Sequence, residues 1–103
     1  MSGLSTHVLD TALGRPAAGV HVTLETRDGR YVAEGVTDSN GRIAAIGTGS
    51  LAAGDHVLRF DTGTYVDGFY PEVIVIFTVV DAEDHHHVPL LLSPYGYATY
   101  RGS

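Results

Sequence analysis

Polar and apolar residues alternate along most of this chain with a period of two, in short runs between turn signals. The clearest run is Val20 to Thr26: Val20, Val22 and Leu24 fall on one face and His21, Thr23 and Glu25 on the other. That pattern predicts a half-buried antiparallel strand. Asp28-Gly29 then supplies a hairpin turn, and Tyr31 to Thr37 is the return strand. Earlier, Ser5 to Asp10 sets Ser5, His7 and Leu9 against Thr6, Val8 and Asp10, and Thr11 to Gly19 reads as a loop. Asp38-Ser39-Asn40-Gly41 is a second turn, Asn40-Gly41 being suited to positive φ, with Arg42 directly after it. A short strand over Ile43 to Ile46 leads into a loose segment, Gly47 to Gly54. His56 to Asp61 alternates again, with Leu58 and Phe60 inward and Val57 and Arg59 outward. Two glycines in Thr62 to Gly68 allow no more than one helical turn.

The longest apolar run, Val73 to Val80, is rich in β-branched residues, which favours a strand. A strand apolar on both sides is covered on both sides, and in a chain of this size the second cover is expected to be another subunit. After an acidic turn at Asp81 to Asp84, a last hairpin runs to the final residue around Ser93-Pro94. Parity puts His85, His87, Pro89 and Leu91 on one of its faces and His86, Val88, Leu90 and Leu92 on the other. About eight strands at this spacing, with no internal repeat or linker, predict an all-β sandwich in which one domain covers residues 1–103.

Composition narrows the function classes. The 103 residues suffice for one core without staples. The absence of cysteine excludes disulfides, thiolate nucleophiles and thiolate metal sites. A formal charge of −6 argues against a nucleic-acid partner, since phosphate binding needs a basic face. No apolar run reaches the roughly 20 residues of a membrane span. The first residues lack a basic region followed by an apolar one, so a cytoplasmic protein is expected.

Candidate chemistry gathers at the histidines and the last residues. His85 and His87 share a face and could hold a metal, but beyond His7 and Asp84 the local sequence offers no third ligand. A histidine-rich strand start facing solvent is the commoner meaning of such a run. A lone strand histidine such as His7 is likewise more often structural than catalytic. Arg42 is, by itself, a polar residue after a turn. An ordinary chain end frays, whereas this one carries Tyr100, Arg101, Gly102 and Ser103 to its last position. No phosphate loop or nucleophile elbow occurs.

Three stretches together resemble a family: Leu4-Ser5-Thr6-His7-Val8-Leu9-Asp10, Thr37-Asp38-Ser39-Asn40-Gly41-Arg42, and His87-Val88-Pro89-Leu90-Leu91-Leu92-Ser93-Pro94 through Tyr100-Arg101-Gly102-Ser103. They are similar to the 5-hydroxyisourate hydrolases, the transthyretin-related enzymes of urate breakdown. The final Tyr-Arg-Gly-Ser is the most specific part. The resemblance implies a transthyretin-like (prealbumin-like) eight-stranded β-sandwich with one short helix, assembled as a homotetramer, a dimer of dimers with active sites at the dimer–dimer interface. It implies cofactor-free, metal-independent opening of the six-membered ring of 5-hydroxyisourate. His7, Arg42, His87 and Ser103 correspond to catalytic positions, and Arg42, Tyr100, Arg101 and Ser103 to substrate-binding ones. In those roles His7 and His87 activate water and move protons, with His7 the first choice of base. Arg42 and Arg101 bind substrate oxygens, Ser103 orients substrate or water through its hydroxyl and carboxylate, and Tyr100 narrows the pocket. Where the family commonly reads His-Tyr-His before Val-Pro, this chain has His85-His86-His87, and parity puts position 86 on the face opposite His87. A transthyretin-like carrier of small ligands, without catalysis, is the alternative.

Overall fold

A computed structural model describes residues 3–47, 49 and 51–103 of the chain. Of the loose segment expected over 47–54, Thr48 and Ser50 lie outside the described residues, as do Met1 and Ser2 at the start.

Among the described residues nine strands follow in order: β1 (Gly3–Asp10), β2 (Arg15–Pro16), β3 (His21–Thr26), β4 (Tyr31–Val36), β5 (Arg42–Ile43), β6 (Gly54–Asp61), β7 (Val73–Val79), β8 (His85–Ser93) and β9 (Gly96–Thr99). They form two sheets. One has the order β2-β1-β8-β9, with β5 also paired to β1, and the other has the order β4-β3-β6-β7. The expected sandwich is present, and its inward faces are those that parity assigned. Leu4, Val8, Leu90 and Leu92 of the first sheet meet Val22, Leu24, Leu58 and Phe60 of the second, all almost fully buried. Burying such side chains is worth about 1.5–3 kcal/mol each, so this layer is the main source of stability.

Four details depart from expectation. The count is nine because the loop over 11–19 holds a two-residue strand paired to β1, Leu9 opposite Pro16. β5 ends at Ile43 rather than Ile46 and β6 begins at Gly54. No helix forms at residues 62–68. The carbonyl of Thr62 accepts the N–H of Val66 at 3.0 Å, closing a single turn, and Gly63 N–H goes instead to the Pro71 carbonyl. The short helix implied by the resemblance is therefore absent from this segment, whose two glycines weigh against helix. Val57 points outward but is only 6% exposed. It lies between Glu25 and Ile76 on the outer face of its sheet.

β7 behaves as its composition requires. Val73, Val75 and Val79 are buried in the core, while Ile74 and Ile76 stand 46% and 49% exposed on the outer face. β7 and β9 are edge strands of their respective sheets. Residues of β7, of β8 and of the segment after β9 border one cleft between the two sheets.

The pairing that matters most for function joins the two ends of the chain. β1 and β8 run parallel through eight residue pairs, from Gly3 opposite His85 to Asp10 opposite Leu92. Asp10 anchors the far end of this pair. Burial pushes its carboxyl pKa up, but the Tyr65 hydroxyl, the N–H groups of Leu13 and Ala12 and the charge of Arg15 outweigh this and hold it below the ordinary value. Tyr65 donates to Asp10 at 2.7 Å and so ties the turn at 62–66 to β1.

Candidate active site

Register, more than sequence proximity, builds the site. Directly opposed residues of paired strands share a face. In the antiparallel pair β1–β5, His7 is opposite Arg42 and Thr6 is opposite Ile43. Thr6 and Ile43 point into the core, so His7 and Arg42 stand side by side on the outer surface. In the parallel pair β1–β8, Ser5 is opposite His87 and Gly3 is opposite His85. The outer face of this sheet thus carries His85, His87, Ser5, His7 and Arg42 from three strands.

The turn at Asp38–Gly41 sets the position of two of these groups. Its backbone is held by the Asp38 carboxylate, which accepts the N–H of Asn40 at 2.8 Å and that of Arg42 at 3.0 Å. Those two N–H groups, against a smaller desolvation effect and with help from the Arg42 and His7 charges, keep the Asp38 carboxyl below its ordinary pKa. Gly41 has φ +73°. A Cβ at this residue would lie 2.4 Å from the Val8 carbonyl oxygen, so only glycine lets the turn close onto β1. The Gly41 carbonyl then accepts the Val8 N–H at 2.7 Å.

The same turn aims His7. The ring Nε2 lies 2.9 Å from the Asn40 carbonyl oxygen. A carbonyl only accepts, so Nε2 carries the proton and the neutral ring keeps its lone pair on Nδ1. His87 is oriented differently. Its Nδ1 is 2.7 Å from Ser5 Oγ, which is also 2.8 Å from His85 Nε2, and the free nitrogen of His87 is Nε2. Burial, then the charges of Arg42, His7 and His85, hold the His87 pKa below the usual 6.5, a hydrogen bond to the Ser5 backbone opposing them. The shift favours neutral His87, which can accept a proton on Nε2 when its own hydrogen is on Nδ1.

The last residues pass along the other side of His87. Gly102 donates its N–H to the His87 carbonyl at 2.8 Å. This bridge brings Ser103 to an open cleft of about 260 Å³ lined by Ser5, Thr6, Arg42, Ile43, Ala44, His85, His87 and Ser103. Arg42, His87 and Ser103 therefore line one cleft, and His7 is adjacent through its pairing with Arg42. Tyr100 and Arg101 lie elsewhere. They line a second cleft of about 280 Å³ on the β7 side, which shares His87 with the first. The Arg101 guanidinium is 3.8 Å from the Asp84 carboxylate, an exposed pair of little energetic weight.

His86 faces inward as parity required and is 5% exposed; it lines the second cleft, and its Nδ1 has no hydrogen-bond partner among the described residues. Also among the described residues, no three histidines or carboxylates are placed to share a metal ion. Two contributors went unrecognised in the sequence. Ser5 shares a parity face with His7, but only the β1–β8 register shows that it reaches His87. The Asn40 carbonyl, a backbone group, has no sequence signal at all.

Comparison with known proteins identifies the family of the fold. A sequence model of the HIUase/Transthyretin family matches residues 4–102. A 5-hydroxyisourate hydrolase of Deinococcus radiodurans is 48% identical over 114 residues, covering 98% of this chain and 96% of the relative. The solved structure of Klebsiella pneumoniae 5-hydroxyisourate hydrolase superposes with TM-score 0.90 at 38% identity, over 99% of this chain and 100% of that one. Transthyretin from Sparus aurata superposes with TM-score 0.83 at 29% identity, over 99% and 97% of the two chains. With its two sheets, its outer-face histidines and its last residues in place, the chain belongs to the HIUase/Transthyretin family.

Proposed function

We propose that the protein is a 5-hydroxyisourate hydrolase, opening the six-membered ring of its substrate to give 2-oxo-4-hydroxy-4-carboxy-5-ureidoimidazoline. The observation that carries this reading is the convergence of Arg42, His87 and Ser103 on one open cleft beside His7, in a chain 48% identical to a hydrolase of that name over nearly its whole length.

The chemistry is attack of water on a ring carbonyl followed by breakage of the carbon–nitrogen bond. His7 takes the first proton of the water on Nδ1 and returns it to the leaving nitrogen. His87, held neutral, takes the second proton on Nε2 as the new carboxyl group ionises, and releases it to solvent. No covalent enzyme intermediate is needed. Arg42 is a fixed cationic donor beside the cleft, suited to the oxyanion that develops during attack. The Ser103 hydroxyl orients substrate or water. Arg101 and Tyr100 border the adjoining cleft and meet the parts of the substrate that reach beyond His87.

The open cleft is one wall of the complete site. The working form is a homotetramer, a dimer of dimers whose second dimer supplies the facing wall, in the cytoplasm and without cofactor or metal. Two features support this assembly: the site lies on an outer sheet face, and Ile74 and Ile76 are exposed. Among the described residues no helix is long and apolar enough to cross a membrane.

The test is direct. Purified protein added to freshly generated 5-hydroxyisourate accelerates its ultraviolet decay. His7→Ala, and a chain lacking Arg101 to Ser103, lose about 10²–10⁴-fold in rate, the usual worth of general acid–base help, while remaining folded by circular dichroism. Full activity in either variant removes these roles. No acceleration by the unaltered protein favours the carrier reading, although Arg42 and the histidines make this face too polar to suit an apolar ligand.

A further inference from the structure

We propose that Ser5 and His85 are positioning residues for His87: the serine hydroxyl selects which ring nitrogen of His87 is free, and His85 sets the direction of that hydroxyl. The proposal deepens the hydrolase reading above and rests on it for its consequence in catalysis.

Ser5 Oγ sits between two imidazoles, 2.7 Å from Nδ1 of His87 and 2.8 Å from Nε2 of His85. A hydroxyl has one proton to give and lone pairs to accept with. The two rings are the only hydrogen-bond partners of this hydroxyl among the described residues, so it keeps its own proton paired only by donating to one ring and accepting from the other, and two arrangements satisfy it. In the first, His87 donates Nδ1–H to the serine and the serine donates to His85. Nε2 of His87 is then unprotonated and can accept a proton from the reacting water. In the second, His85 donates Nε2–H to the serine and the serine donates to Nδ1 of His87. Neutral His87 then carries its own proton on Nε2 and is no base.

His85 decides between them. Neutral His85 can accept the serine proton and permits the first arrangement. Protonated His85 has hydrogens on both nitrogens, cannot accept, and favours the second, the one arrangement in which the serine proton still finds a ring nitrogen. Protonating His85, an exposed residue, thus switches off His87 without His87 gaining a proton. In the parallel register Gly3 stands opposite His85 and Ser5 opposite His87, which places the His85 ring within reach of the Ser5 hydroxyl. The other charged or titratable groups around His87 are His7 from β1 and Arg42 from β5, with Arg101, paired to Asp84, and Ser103 from the segment after β9. None of them is hydrogen-bonded to the serine.

A mere charge effect predicts the opposite sign. Cationic His85 repels a proton from His87, so removing it by electrostatics alone lets His87 protonate more easily and moves the acid limb of activity to higher pH. Through the serine, His85→Gln moves the limb to lower pH, because the amide presents its oxygen to Ser5 at every pH and is never cationic.

The experiment takes pH profiles of kcat and KM on the full chain for the unaltered protein, Ser5→Ala, Ser5→Thr and His85→Gln. Ser5→Ala is expected to lose about tenfold or more in kcat, as when an imidazole loses its orienting partner, with KM little changed. Ser5→Thr restores most of the loss, and His85→Gln shifts the acid limb downward. Unchanged kcat in Ser5→Ala, or an unchanged or upward limb in His85→Gln, overturns the proposal. Long-range proton–nitrogen NMR of the histidine rings reads the same switch independently of turnover. His87 should hold its proton on Nδ1 at high pH and pass to the Nε2–H form as the pH is lowered, and the change of tautomer should vanish in Ser5→Ala. An uncoupled His87 in the unaltered protein overturns the proposal even if the hydrolase activity is confirmed. A coupled His87 in a protein without activity keeps the proposal and removes only the hydrolase reading.

Discussion

A methyl group at residue 102 would stand 2.4 Å from Cδ2 of the His87 ring and 3.3 Å from the His87 carbonyl oxygen. Gly102 is therefore the residue that allows the last segment to cross the edge of the imidazole while its own N–H binds the carbonyl behind it. The ring is fixed on its other side by Ser5, so it cannot yield without losing a 2.7 Å hydrogen bond. We expect Gly102→Ala to displace either His87 or Ser103 and to lower kcat by more than about tenfold, since misplacement of about 1 Å can cost about 10²-fold. Its melting temperature should change little, because residues 101–103 contribute nothing to the core. A thermal melt beside a rate measurement separates the two effects. Wild-type turnover in this variant would show that the contact is dispensable.

At the scale of elements, the turn that leads into β5 has the largest leverage over the site. One carboxylate, Asp38, organises its backbone, and one glycine, Gly41, lets it lie against β1. Out of this come the carbonyl that fixes the His7 tautomer and the strand that presents Arg42. Gly41→Ala meets both a left-handed φ and a backbone oxygen at 2.4 Å. It should cost more than about 1 kcal/mol in denaturant unfolding, the least expected where alanine is forced into such a conformation. It should also abolish activity, because His7 and Arg42 move together. The turn at 62–66 shows the converse, since the two glycines of its segment weigh against a longer helix before any tertiary contact such as the Gly63–Pro71 hydrogen bond is considered. The β1–β8 pairing is the other controlling element. Alternation along β8 correctly separated His87 from His86, but a strand's parity does not name its neighbour.

For the whole molecule, the arrangement of the sheets leaves two features without a partner: the site on an outer face, and the apolar outer side of β7 with Ile74 and Ile76 about half exposed. A single strand explains both of its faces only if something covers the second one. The proposed assembly predicts a mass about four times the 10.9 kDa chain in sedimentation equilibrium. The double variant Ile74→Glu, Ile76→Glu should sediment as a smaller species, with the fold of each chain retained, because neither side chain reaches the core cluster. An unaltered protein sedimenting at the mass of one chain would remove the tetramer from the functional reading.

The sequence by itself determined the sandwich, the inward faces of β1, β3, β6 and β8 and the two-sided character of β7, which follow from the period of two in a strand and the backbone needs of turns. It singled out His7, Arg42, His87 and Ser103 only through the resemblance of three stretches to a family, since local rules alone leave them ordinary polar residues. Tertiary structure alone decided that β1 lies parallel to β8 with Ser5 opposite His87, and that His85 reaches the same hydroxyl. It also separated Tyr100 and Arg101 into a second cleft. Register between strands more than eighty residues apart is fixed by how two sheets bury their apolar faces together, and no single strand contains that information.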